Sequence, residues 1–524
     1  MDTNLKRLPT KYNLLVPFRQ NIAVLFPDAP RRGDDLVIPH GLAETIILRR
    51  HGIEVPAPIL SQYTYTGHTP FHVQRVTCEM LTTNQRAYVL STMGTGKTSC
   101  PLWAFDFLKQ QGHATKMLID APLSTLDFVW MKEMLEVASP YKAVVVHGPR
   151  HKRLKLLDSD ADIYIINHDG LATVYDALTE RHDIDVITID ELASFRNKNE
   201  RTKLLTQYVN GDGKKWAGMK WVWGMTGSPA PHEPTDVFHQ AKIVTPWTVP
   251  KYYTPFRDQL MYRVSEFRWL PQTGSAEKAY AALQPSVRFT LEDVSELPPY
   301  VSRRQKIKLG QKQRDTYETI RKDAFALLNS GETISAANQG VILSKLLQIS
   351  LGYVYTSDGR TVALDNKPTL DAIIELLEQA QNPVLFACSF KHALRGFREH
   401  IAQAGKGDPR WDVPMVSGDT PMRERGLIFS AFQEGRYAAM VCHPQCVAHG
   451  LTLTAADTVV WLGPIASLEI YSQFNARIRR SGQTKRQQFI HFERTPAETK
   501  LYKLLEQRDD IQHRITSLFE EELT

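Results

Sequence analysis

One pattern constrains this chain more than any other, and it occurs twice: short β-branched and apolar runs alternating with segments of helical periodicity. In the first half the runs are "AYVLST", "KMLIDAP", "KAVVVHG", "DIYIINH", "VITID" and "WVWGMTG"; in the second they are "PVLFACS", "VPMVSG", "AAMVCHP", "TVVWLG" and "QFIHF". Near-continuous apolar runs of this length mark strands buried on both faces, as in parallel sheets covered by helices. The expectation is an α/β fold with two tandem parallel-sheet units. Between them, from about Lys242 to Asn366, strand alternation fades and helical periodicity takes over, as in "QRDTYETIRKDAFALL". The expected regions are a small N-terminal accessory region over 1–60, a first unit over 61–298 with a helical insertion from about 242, and a helical segment plus second unit over 299–524. The first region, punctuated by Pro27, Pro30, Pro39, Pro56 and Pro58, yields no firm structural reading.

Composition sets the class. A hydrophobic share of 42% with 23% charged residues is that of an ordinary globular chain, and a net charge of +6 permits a polyanionic partner without requiring one. No apolar run approaches the roughly 20 residues needed to span a bilayer, and the N-terminus lacks a leader-like apolar core, so a cytoplasmic protein with no membrane partner is expected. Five scattered cysteines do not suggest a disulfide scaffold. The segment "CHPQC", with Cys442, His443 and Cys446, lacks the second ligand pair of a zinc site.

The segment "STMGTGKTS" directly follows the first of these runs. A phosphate-binding loop needs small residues that let backbone N–H groups converge, then a lysine and a hydroxyl where a helix begins. Gly94 and Gly96 flank Thr95, Lys97 can reach phosphates, and Thr98 can ligate magnesium; Met93 and Ser99 complete the loop. Ser91 stands where the first glycine of the pattern would be, and an ordinary helix start with a surface lysine is the alternative. "VITIDE" ends an apolar run in Asp190 and Glu191, suited to holding magnesium and polarising a water, or else to capping the next helix. "RIRRSGQTKR" reads by itself as a solvated basic surface.

Taken in order, "TPFHVQ", "MGTGKT", "APLSTLDFVW", "DELASFRN", "MTGSPAPHEPTDVF", "KLLQISLG", "SGDTPMRERGLIFSAFQ", "HGLTLTAADTVVWLGP" and "QFNARIRRSGQTK" resemble the motif set of superfamily-two helicases, over about residues 61 to 495. The similarity is closest to the Swi/Snf-like branch, in the compact form of phages and bacteria. That resemblance implies two RecA-like lobes with ATP and Mg2+ between them. It implies that Gln74 reads the adenine edge, with Phe71 or Tyr65 stacking on it, and that Asp190 and Glu191 are the magnesium ligand and the catalytic base. Thr226, Gly227 and Ser228 match the motif that links hydrolysis to nucleic-acid engagement, and Gln473, Arg477 and Arg480 match the nucleotide-facing motif of the second lobe. Ala193 replaces the histidine of a DEAH box, and Ala476 replaces a glycine. Nucleic-acid contacts are implied for Pro122, Leu123, Ser124, Thr125, Asn167 and His168 in the first lobe. In the second they are implied for Ser417, Gly418, Gly450 and Thr452. The basic pairs Arg31/Arg32, Lys214/Lys215 and Arg303/Arg304 would extend that surface or merely aid solubility. The implied function is an ATP-dependent DNA translocase or helicase on duplex or branched DNA, with single-stranded DNA as a further substrate. Two alternatives stay open: an RNA-directed ATPase, and a nucleotide-gated binding module with little turnover.

Overall fold

The computed structural model describes residues 6–7, 13–213, 216–266, 268–294, 298–329, 336–355, 360–447, 452–480, 482–503 and 505. Two compact units divide after Val294. In the first, seven strands form one wholly parallel sheet. Its order is Ser286–Val287, Arg86–Val89, Trp221–Met225, Ile184–Ile189, Lys116–Ala121, Ile163–Asn167 and Ala143–Val146. The runs "IYIIN" and "WVWGM" are buried at every position, because helices cover both faces. Trp216, Trp221 and Trp223 belong to this packing, each no more than 4% exposed.

The second unit repeats the scheme with six parallel strands: Tyr300–Lys306, Gln487–Glu493, Thr458–Trp461, Val384–Ala387, Ala439–Cys442 and Met415–Val416, in that order across the sheet. All eleven apolar runs of the sequence are therefore strands of two parallel sheets.

The stretch between them is less purely helical than its periodicity suggests. Helices Val237–Val244, Tyr253–Leu260, Ser275–Ala282, Gln311–Asn329 and Ala336–Leu351 are present. An antiparallel hairpin, Met261–Ser265 with Arg268–Pro271, interrupts them, and strands 286–287 and 300–306 each extend a sheet at its edge. The strand "YVSRRQK" carries three cations and has no fully buried residue, so it lacks the apolar signature of a central strand.

Within the first region, Asn13–Pro17 and Asp35–Pro39 pair antiparallel, flanked by Lys6–Arg7 and Arg31–Arg32. Leu14, Val16, Leu36 and Ile38 alternate inward and meet Leu48 from helix Leu42–Arg50 and Ile53 and Val55 from the chain beyond it. The Arg49 guanidinium then pairs with Glu79 and donates to the Val55 carbonyl, tying this small sheet to helix His72–Thr83. Among the described residues no helix is long and apolar enough to cross a membrane.

Candidate nucleotide site and its polar surroundings

The strand Arg86–Val89 runs into the loop 90–98 and then into helix Ser99–Gln110. Gly94 and Gly96 have φ of 86° and 72°, a left-handed backbone that glycine adopts without a Cβ penalty. At Gly96 a Cβ would also stand 2.5 Å from Gln74 Nε2, so the end of that side chain would have to shift. Lys97 Nζ donates to the Ser91 carbonyl at 3.2 Å, bending the lysine back over the loop. Thr95 and Ser99 are both 2% exposed, with their hydroxyls donating to the Thr92 carbonyl and to Glu133. Thr98 stands half-buried where the helix begins, and Met93 is half-buried in the loop.

Gln74 is buried with both ends of its amide engaged. Its Oε1 accepts from Phe71 N at 2.8 Å, and its Nε2 donates to the Gly96 carbonyl at 2.8 Å. This glutamine therefore fastens the preceding helix to the glycine loop. Of the two aromatic residues proposed to flank a base, Phe71 is exposed, whereas Tyr65 is packed edge-on to Tyr63 and Trp103.

Asp190 follows strand Ile184–Ile189, and its carboxylate is held on both oxygens: Oδ2 accepts from Trp130 Nε1 at 3.0 Å and Oδ1 from Glu191 N at 3.0 Å. Burial, followed by the neighbouring Glu191 charge, pushes its pKa above the usual carboxylate range, against the pull of Lys97 and the Trp130 hydrogen bond. Glu191 takes a left-handed backbone, φ 48°, which costs a non-glycine residue on the order of 1–3 kcal/mol. The turn Leu192–Phe195 leads away from it. Thr226 is buried at the end of strand Trp221–Met225, and a Cβ on Gly227 would lie 3.7 Å from Lys97 Nζ. The glycine loop, the acidic pair and Thr226–Ser228 thus meet at the C-terminal ends of neighbouring strands, where open α/β sheets bind ligands.

Trp130 is a site residue that sequence reasoning missed. It lies in the π-helical segment Leu126–Met131, and nothing in "LDFVWM" distinguishes a tryptophan that serves a carboxylate from one that serves a core.

The residues proposed to touch nucleic acid are unequally available. Leu123 is exposed, and Pro122 and Ser124 are half-buried, whereas the Thr125 hydroxyl is spent on the Pro122 carbonyl. Asn167 Oδ1 accepts from Arg153 Nη1 at 3.0 Å, and His168 Nδ1 lies 3.0 Å from Asp120 Oδ1, with both side chains buried. In the second unit Gly418 and Thr452 are exposed and Ser417 is buried, while Gly450 lies outside the described residues, as do Lys214 and Lys215.

Gln473 is buried on helix Leu468–Asn475, its Nε2 3.4 Å from Glu469. Arg477, also buried, donates from Nε to the Gln473 carbonyl at 2.8 Å. Arg480 is half-buried, bonding the Ala476 carbonyl and Thr452 Oγ1, each at 3.2 Å. Burial pulls its guanidinium down to about 10, still cationic at neutral pH.

Residues 78–351 match the model of the SNF2-related domain, and residues 368–482 match the helicase conserved C-terminal domain. Protein p41 of Acyrthosiphon pisum secondary endosymbiont phage 1 is 26% identical over 443 residues, covering 81% of this chain and 90% of that protein. A Bacillus subtilis (strain 168) protein named as an ATP-dependent helicase/translocase, YwqA, is 22% identical over 431 residues, covering 77% of this chain and 43% of its own length. The Sulfolobus solfataricus SWI2/SNF2 ATPase core in complex with dsDNA matches at a TM-score of 0.41 and 20% identity, over 87% of this chain and 95% of that one. With more than half of its length matched to these models, the chain belongs to the SNF2-related helicase family of nucleic-acid-dependent ATPases.

Proposed function

We propose that this chain is an ATP-dependent DNA translocase, coupling hydrolysis to movement on, or remodelling of, duplex or branched DNA by branch migration or annealing. A role in replication, recombination or repair in a bacterial or phage-infected cytoplasm follows from that reading. One observation carries the catalytic part: Asp190 is buried beside a second carboxylate, with Lys97 as the cation acting on it. A buried carboxylate with a half-buried one beside it calls for further positive charge, so the residues fit a divalent cation. Thr98 and Asp190 would hold Mg2+, which when bound neutralises charge on the nucleotide phosphates. Lys97 orients the terminal phosphate. Glu191 takes the proton of the attacking water as the new P–O bond forms and the bond to the ADP oxygen breaks. Gln74 fixes the loop against the preceding helix, and Arg477 and Arg480 supply charge to the transferring phosphate. Leu123, Ser124, Gly418 and Thr452 are the exposed or half-buried positions for gripping a nucleic-acid backbone.

The deciding measurement is ATP turnover with single-stranded DNA, duplex, a four-way junction and RNA compared at equal nucleotide concentration. Duplex and junction should stimulate about tenfold or more, since ordered closure is what assembles such sites. Stimulation by RNA alone would replace the DNA reading with an RNA-directed ATPase. Nucleotide binding with no turnover on any of the four would make the chain a nucleotide-gated binding module.

A further inference from the structure

Beside the acidic pair lies a second polar cluster with no part in the mechanism above. Asp120 is the penultimate residue of the strand next to that of Asp190, and its carbonyl accepts from Asp190 N at 2.8 Å. Its carboxylate is wholly buried and bonds His168 Nδ1 at 3.0 Å, on the side away from Asp190 in strand order. The His168 ring meets the ring of Phe195 edge-on, centroids 4.9 Å apart and planes at 78°. Phe195 closes the turn that Glu191 opens, and Arg201 stands over its ring at 5.0 Å. Arg201 also donates from Nη2 to the Ser194 carbonyl in that turn at 2.9 Å, and from Nη1 to Asp169 at 3.2 Å.

The segment Asn167–Asp169 and the turn after Asp190 are therefore joined twice, through His168 on Phe195 and through Arg201 on Asp169, Ser194 and Phe195. Buried ionisable groups are costly to retain, and here Asp120 Oδ2 and His168 Nε2 have no hydrogen-bond partner among the described residues. A purely structural role would be filled more cheaply by an apolar pair. Glu191 meanwhile holds a left-handed backbone that its surroundings must impose.

We propose that His168, aligned by Asp120, and Arg201 are positioning residues that set the Glu191 turn through the ring of Phe195. Both press on one aromatic ring, so removing either lets the turn relax, and removing both adds little. The proposal rests on Glu191 acting as the base, and Glu191→Gln is the control for that.

The experiment measures kcat, the KM for ATP, DNA half-saturation and thermal midpoint for Arg201→Ala, Arg201→Lys, His168→Asn, the double variant Arg201→Ala/His168→Asn, and Glu191→Gln. Arg201→Ala should lower kcat about tenfold, as small misplacements of a catalytic group do. The KM for ATP and the DNA half-saturation should stay within about twofold, since neither grip changes. Arg201→Lys keeps a cation over Phe195 but cannot bond Asp169 and Ser194 together, so it should recover only part of kcat. His168→Asn keeps a donor for Asp120 but loses the ring, and should behave like Arg201→Ala. The double variant should cost little more than the worse single one, the non-additivity expected when two residues act through a third. A lower thermal midpoint with unchanged kcat in both single variants would make the cluster mere packing and overturn the proposal. So would a raised DNA half-saturation with kcat retained at saturating DNA, which would make these residues DNA contacts. If Glu191→Gln turns over normally, the base assignment fails and the positioning role falls with it; if Glu191→Gln is inactive while the Arg201 and His168 variants are normal, the positioning role fails alone.

Discussion

The acidic site of the first unit and the arginine turn of the second are built on opposite electrostatic plans. Asp190 and Glu191 crowd two carboxylates together, and burial raises the pKa of Asp190 although Lys97 and Trp130 oppose it. Arg480 is a part-buried cation whose hydrogen-bond partners among the described residues are neutral oxygens, and its pKa is lowered. One region has anionic groups to spare and the other a cation to spare. A second arginine sharpens the contrast: Arg494 pairs with Glu498 at 2.9 Å, both fully buried, and Glu498 also accepts from Ser350 Oγ. Within one unit a charge meant for structure is neutralised on the spot, while Arg480 has no carboxylate partner among the described residues.

The largest expected effect breaks the comparison at its first term. Lys97→Ala removes the larger of the positive charges acting on Asp190, and ATP turnover should fall by about 10³-fold, or ~4 kcal/mol in the barrier, with or without DNA. Steady-state ATP hydrolysis is the measurement. Turnover within tenfold of the parent protein would mean that the glycine loop is only a turn before a helix.

The second prediction addresses the neutralised arginine. Glu498→Ala leaves Arg494 buried without its carboxylate and should destabilise the second unit by about 3–5 kcal/mol. Chemical denaturation followed by site-specific fluorescence in each unit is the test, because a chain of two units need not unfold in one step. The second unit's transition should move to lower denaturant while the first unit's stays in place. If both moved together, the pair would not be a local device of the second unit.

How far these regions were legible in the sequence follows from the same physics. Strands buried on both faces write themselves as apolar runs, so both sheets and the loop that opens at Ser91 could be read directly. The edge strand Tyr300–Lys306 could not, because charged residues on an edge carry no apolar signature. In the first unit the loop lysine and acidic pair are recognisable since each follows an apolar run, whereas their supports are not. Trp130, Asp120 and Arg201 reach the site from a π-helical segment, a neighbouring strand and a helix, and no spacing rule joins them to Asp190. The resemblance implies that Gln74 reads a base, and its amide fastens the glycine loop, a contact that only side-chain geometry reveals. The resemblance implies a nucleic-acid contact at His168, and the structure places its ring, buried, against Asp120 and Phe195.

The smallest of the three effects tests the charge left over in the second unit. Arg480→Ala should lower DNA-stimulated ATP turnover about 10²-fold, because a positioned cation contributes chiefly where charge develops on the transferring phosphate. DNA affinity should fall no more than about threefold, since grip on a nucleic-acid backbone is spread over many contacts. Arg480→Lys should recover little, because a lysine cannot hold the Ala476 carbonyl and Thr452 while also presenting a planar fork to phosphate. The comparison fails if Arg480→Ala reaches full turnover at saturating DNA but needs far more DNA to do so. The spare cation would then be spent on the track rather than the nucleotide, and the first unit's acidic site would have to draw its missing positive charge from its own loop and a bound metal ion.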